Sequence, residues 1–128
     1  AGFDFLALPE PDNRVYVGPV LDEPDWVDSW ENPWPDHDKR PLVVVSLSST
    51  FQNQRDLLQT AITALGKLHV RGLATLGPAI STESLDVPDN VVVVASAPHG
   101  LLFKETDAFI THCGHGSTMR ALAQGVPL

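Results

Sequence analysis

The run Leu42-Val-Val-Val-Ser-Leu47 constrains this chain more than any other stretch, because it is apolar without alternating. A strand with one face in water alternates apolar and polar residues. A strand covered on both faces does not, and such strands belong to the interior of parallel sheets. A second run of this kind, Asn90-Val-Val-Val-Val-Ala95, and two further strand patterns, Val70 to Leu76 and Ala108 to Thr111, lie downstream. After the first run, Leu57, Leu58, Ala61, Ile62 and Leu65 recur at helical spacing, while Gln54, Arg55, Gln59 and Thr63 face away. That spacing predicts a helix from Asn53 to Leu65, ended by Gly66 and Lys67. A short helix is expected from Gly100 to Glu105, and Gly77-Pro78 and Ala97-Pro98-His99 turn the chain. The pattern is that of an α/β fold, a doubly wound parallel sheet of Rossmann-like type. Such sheets hold ligands beyond the carboxyl ends of their strands, where Ser46-Leu-Ser-Ser-Thr50 places hydroxyls.

The stretch from Asp107 to Leu128 carries the most chemistry. Strand Ala108 to Thr111 is followed by a glycine-rich turn, His112 to Gly116, and by a helix expected to begin at Ser117. Ser117 suits an N-cap, and Gly125 with Pro127 suits a helix stop. Gly114 and Gly116 allow close backbone approach or positive φ. Such a turn aims unpaired N–H groups and the positive end of a helix dipole past the strand, which suits an anion and most naturally phosphate. His112, His115, Ser117 and Thr118 add side-chain donors. Similar turns also join strands to helices without binding anything. The run is not the dinucleotide fingerprint, since Met119 stands in place of its third glycine, and it lacks the Gly-Lys-Ser/Thr ending of a P-loop. It is no nucleophile elbow, because Ser117 follows the glycines, and His112, Cys113 and His115 have no second cluster with metal spacing. No metal site is expected.

Thr111-His-Cys-Gly-His-Gly-Ser-Thr118, followed by Ala-Leu-Ala-Gln-Gly-Val-Pro-Leu128, resembles the donor-binding signature of the UDP-glycosyltransferase superfamily. The likeness is strongest to bacterial members that glycosylate macrolides and other natural products. Val15-Tyr-Val-Gly-Pro-Val20 is similar to the segment leading into that family's C-terminal domain, Leu42 to Thr50 to its first strand and loop, and Ala97-Pro98-His99 to its Pro-Gln or Pro-His turn. These matches follow the family's order and span most of the chain from Val15 to Leu128. They imply the C-terminal lobe of a GT-B fold.

Charge divides the chain. Of the formal net charge of −8, residues 1–40, with ten acids and three bases, hold −7, and residues 41–128, with six and five, hold −1. An acidic chain without a basic stripe is a poor candidate for binding nucleic acid or anionic membrane. No apolar run approaches the roughly 20 residues of a membrane span, and a single cysteine fits a reducing, cytoplasmic setting. Residues 1–40 read as an irregular interdomain linker with one strand from Asn13 to Val20, and residues 41–128 as part of a donor-binding domain. Pro24, Pro33, Pro35 and Pro41 alternate with Trp26, Trp30 and Trp34, which suits a linker anchored by tryptophans better than an aromatic binding platform. Gly125 to Leu128 reads as a helix stop entering another strand, so the chain is expected to be a fragment.

The resemblance implies transfer of a sugar from a nucleoside diphosphate, UDP- or TDP-linked, to an acceptor hydroxyl, with inversion and without a metal or other cofactor. Motif matching places His112, Gly114, Gly116, Ser117 and Thr118 at the diphosphate, with Ser49 from the first-strand loop. It places His115 near the sugar and His99 near base or ribose. Ser117 could equally cap its helix, and His99 could equally be a solvent-facing turn residue. Ser96 stands where plant members carry a base-stacking tryptophan, and Arg120 where they place a ribose-binding glutamate. In the family an N-terminal lobe binds the acceptor and supplies the histidine base, so this stretch alone carries no catalytic residue and is not expected to transfer sugar. A non-catalytic nucleotide-binding module that needs a partner lobe is the alternative.

Overall fold

The computed structural model describes residues 13, 15, 17–21, 30–48, 50, 52–77 and 85–128. Four strands, β1 (Leu42–Ser46), β2 (Arg71–Thr75), β3 (Val91–Val94) and β4 (Ala108–Thr111), form one sheet in the order β3-β2-β1-β4. All three pairings are parallel. Ser46 is in register with both Thr75 and Thr111, and Thr75 with Val94, so all four strands end on one rim. The apolar run of β1 is what it promised, a central strand buried almost throughout, whereas β3 stands at the sheet edge with Val91 buried and Val92 to Val94 half-buried.

Three helices cover the sheet: α1 (Arg55–Leu65), α2 (His99–Leu102) and α3 (His115–Ala123). On one face Leu58, Ile62 and Leu65 of α1 pack with Val45, Ala74 and Val91. Burying each such side chain stabilises the fold by roughly 1.5–3 kcal/mol. On the other face Leu102, Phe103 and Ala121 pack with Leu42, Val44, Leu73, Phe109 and Val126. Helices thus lie on both faces, the doubly wound arrangement. No helix among the described residues is long and apolar enough to cross a membrane.

Several local expectations are corrected. The helix α1 starts at Arg55 rather than Asn53, because Asn53 takes φ 52°, a left-handed conformation that asparagine tolerates outside helices. Leu57 sits at the margin of the apolar face and is 56% exposed. The short helix is His99–Leu102, capped by Pro98, and not Gly100 to Glu105. The described residues between 13 and 20 belong to no strand. Trp34 is buried in the core beneath β1, with Trp30 packed against it, whereas Trp26 and Pro24 lie outside the described residues.

The end of α3 follows its sequence closely. Gly125 adopts φ 72°, its N–H donates to Leu122 O at 3.1 Å, and the Val126 N–H donates to Ala121 O at 2.9 Å. That is the Schellman arrangement, which needs a left-handed residue and therefore favours glycine. The Phe109 N–H then donates to Pro127 O at 2.9 Å, setting the following residues alongside β4.

Candidate functional site

At the carboxyl rim two loops leave neighbouring strands. After β1, the Ser48 and Thr50 hydroxyls lie 2.9 Å apart, the Thr50 N–H donates to Ser48 Oγ at 3.2 Å, and the Ser48 N–H donates to Gln54 Oε1 at 3.0 Å. Ser49 lies outside the described residues. Just below, Thr75 Oγ1 donates to Ser46 Oγ at 2.7 Å, which pairs two buried hydroxyls across β1 and β2.

After β4 the turn is built by Thr111 and Cys113. The Cys113 N–H donates to Thr111 Oγ1 at 3.3 Å, a local side-chain turn of the kind threonine favours. Cys113 also takes φ 61°, so the left-handed position falls on the cysteine and not on Gly114 or Gly116. Gly114 serves another purpose. A Cβ there would lie 2.7 Å from His112 Nε2, so only glycine lets the imidazole fold over the backbone at this point. Gly116 would meet nothing within 4 Å.

The helix begins two residues earlier than its hydroxyl suggested. Gly114 is the N-cap of α3, with no side-chain cap, and Ser117 is the third helical residue. The cap expected of Ser117 is therefore wrong: a hydroxyl at that position is already inside the first turn. The consequence is an uncapped N-terminus, in which the N–H groups of His115, Gly116 and Ser117 have no carbonyl within the helix. They face the rim with the dipole's positive end. His112, His115 and Gly116 are exposed, and Ser117 and Thr118 are half-buried. Thr118 Oγ1 is buried with no hydrogen-bond partner among the described residues.

His99 belongs to this group through packing that the sequence concealed. Its ring stacks on Phe103 at 4.9 Å and 15°, and meets Phe109 edge-on at 5.7 Å and 62°. Its Nδ1 lies 3.4 Å from Ser117 Oγ. The structure therefore brings together His99 and Ser117, and separately His112 and Gly114, on one rim. The cavities lined by Arg71 and Glu105 at the opposite edge (about 350 Å³) and by Gln59 and Leu68 on α1 (about 500 Å³) lie away from this turn.

Two acids outside this turn have local partners. The Leu42 N–H donates to Asp107 Oδ2 at 2.7 Å, and Asp56 pairs with Arg55 at 2.9 Å on the surface. The signals that sequence reasoning passed over were Thr111, whose hydroxyl two residues before Cys113 marks a side-chain turn, and Phe103 and Phe109, the two rings that hold His99.

The family model described as Erythromycin biosynthesis protein CIII-like, C-terminal domain, matches residues 59–128. The chain is 34% identical over 118 residues to NDP-glycosyltransferase YjiC of Bacillus subtilis (strain 168), covering 91% of this chain and 29% of that protein. It superposes with a TM-score of 0.72 and 27% identity on CalG4, the calicheamicin glycosyltransferase, covering 88% of this chain and 27% of the other. It also superposes on the glycosyltransferase VinC, solved in complex with dTDP, with a TM-score of 0.55 and 26% identity, covering 73% and 24%. The chain thus spans 24% to 29% of the length of these relatives.

Proposed function

The chain belongs to the family of Erythromycin biosynthesis protein CIII-like C-terminal domains, and on that premise we infer that it is the donor-binding part of a glycosyltransferase. The reaction moves a sugar from a nucleoside diphosphate to an acceptor hydroxyl, with inversion. The observation that carries this reading is the uncapped first turn of α3, standing beside His112 at the carboxyl rim of the sheet.

The chemistry follows from charge. As the glycosidic bond breaks, the leaving diphosphate gains negative charge, so donors fixed on its oxygens favour the transition state over the ground state. The backbone N–H groups of His115, Gly116 and Ser117, the dipole of α3 and the His112 imidazole supply that stabilisation without a metal. The Ser117 and Thr118 hydroxyls and Ser49 complete the diphosphate contacts, and His115 faces the sugar. UDP and dTDP are both candidate carriers, and the dTDP complex of VinC favours testing the second first. The small-molecule acceptor and the general base come from an N-terminal lobe, and the one free cysteine, Cys113, suits reaction in the cytoplasm.

The test is titration of this chain with UDP and dTDP, followed by turnover assays on it and on the complete protein. Nucleotide binding by the chain, with sugar transfer only by the complete protein, is the expected result. Binding without transfer by the complete protein would favour a non-catalytic nucleotide-binding module. Binding of neither nucleotide sinks the donor-site reading.

A further inference from the structure

The geometry points to His99 as a positioning residue for the diphosphate, acting through Ser117: its Nδ1–H donates to Ser117 Oγ and directs the serine proton at a phosphate oxygen. The inference rests on the reading of the first turn of α3 as the diphosphate site, and goes beyond it in assigning a proton to a stated atom.

The direction of the bonds is forced by what each group can do. The diphosphate oxygens of a nucleoside diphosphate sugar, fully ionised at neutral pH, only accept hydrogen bonds. A serine hydroxyl has one proton to donate and lone pairs with which to accept. If His99 Nδ1 is bare, the Ser117 proton goes to the ring 3.4 Å away, and an oxygen lone pair then faces the anion. If Nδ1 carries the proton, the ring donates to Ser117 Oγ, and the serine proton is left for the phosphate. Only the second arrangement lets Ser117 donate to an anion while keeping its contact with His99, and a chain of donors polarises each member in the same sense.

The ring is built to hold this arrangement. Stacked on Phe103 at 4.9 Å and edge-on to Phe109 at 5.7 Å, His99 is fixed by the side chain after α2 and by the middle of β4. Phe103 and Phe109 are themselves in contact, with centroids 4.7 Å apart, and both are 2% exposed. The imidazole therefore takes its orientation from the core and passes it to the first turn of α3. A side chain whose only task was to fill space against two phenylalanines would gain nothing from a ring nitrogen at Ser117.

The experiment uses the complete protein labelled with ¹⁵N-histidine, with inorganic pyrophosphate as the probe. Ring-nitrogen NMR reports whether His99 Nδ1 is protonated in the bound state, its signals being identified by their loss in His99→Asn. Affinity is measured in parallel for His99→Leu, which keeps an apolar filler, and His99→Asn, whose amide can donate from near the Nδ1 position. We expect a protonated Nδ1 in the complex, a loss of about five- to tenfold in His99→Leu, and affinity within about twofold of the unaltered protein in His99→Asn. A bare Nδ1 in the pyrophosphate-bound protein overturns the inference while leaving the diphosphate site intact. So does unchanged affinity in His99→Leu. Should the unaltered protein bind no pyrophosphate, the site reading fails and takes this inference with it. If His99→Leu does not fold, the protonation state in the unaltered protein still decides.

Discussion

The two ends of the sheet differ in how far their polar groups are tied to one another. At the amino edge they are tied to one another. The Asp107 N–H donates to Leu42 O at 2.9 Å and the Arg71 N–H to Pro41 O at 2.8 Å, while Arg71 Nε donates to Arg40 O at 2.7 Å and its guanidinium lies 5.7 Å from the Trp34 ring centre. Asn90 Nδ2 reaches the carbonyls of Leu65, Leu68 and Val70, and Asn32 Nδ2 donates to Glu105. At the carboxyl rim α3 begins with no side-chain cap, and His112 and His115 are exposed. Among the described residues the first turn of α3 thus lacks the side-chain partners that the amino edge has, and under the proposed function the diphosphate takes their place. On the proposed function, stability and binding fall to opposite ends of the same strands.

The strongest test of that division is Trp34→Ala. Trp34 is 9% exposed, and truncating a buried tryptophan should lower unfolding stability by about 3–5 kcal/mol. Nucleotide affinity of the protein that remains folded should not change. Denaturation curves and titrations on one preparation check this, and a parallel loss of affinity would show that the two ends are not separable.

The converse change is His112→Ala. It should reduce use of the nucleotide-sugar donor by about tenfold or more, the size of a hydrogen bond to a charged group. Because the side chain is exposed, stability should stay within about 0.5 kcal/mol. Donor kinetics on the complete protein, set against its unfolding curve, measure both. Equal loss of stability and activity would make His112 a structural residue.

The smallest expected effect belongs to Asp38→Asn at the closed edge. The Arg40 guanidinium, by hydrogen bonding to the Asp38 carboxylate, holds its pKa well below the ordinary value of 3.8, against the opposing pull of burial. A depressed folded-state pKa contributes stability above the unfolded value and loses it as pH falls through the folded one. The stability difference between the two proteins should therefore be full at neutral pH, shrink below pH 3.8 and vanish only in strong acid. A difference that grows on acidification would overturn this account of the ion pair.

The strands were legible because burial on both faces leaves an unbroken apolar record, as in Leu42 to Val45 of β1. The start of α3 was not. Gly114-His115-Gly116 reads as a turn by composition, yet helix propensity is weakest as a guide in a first turn, where amides need no intrahelical partner. Gly114 and Gly116 suggested positive φ, but the fold placed that conformation on Cys113, with Thr111 shaping the turn. Leu57 had the right spacing and the wrong angle, at the margin of the buried face. The contact between His99 and Ser117 spans 18 residues of sequence and exists only because β4 lies between α2 and α3 in the chain. No local pattern encodes such a pairing.

The Schellman end of α3 has a further consequence. Val126 is 3% exposed in the core, its N–H holds Ala121 O, and the next residue's carbonyl is bound by Phe109. The helix is thus anchored at its far end to the same strand from which its near end departs. A rod pinned in this way can neither slide along its axis nor roll without breaking the β4 contact, so the amides of its first turn keep a fixed aim. On the proposed function, the diphosphate then meets donors already in place, and little conformational freedom is left to be lost on binding.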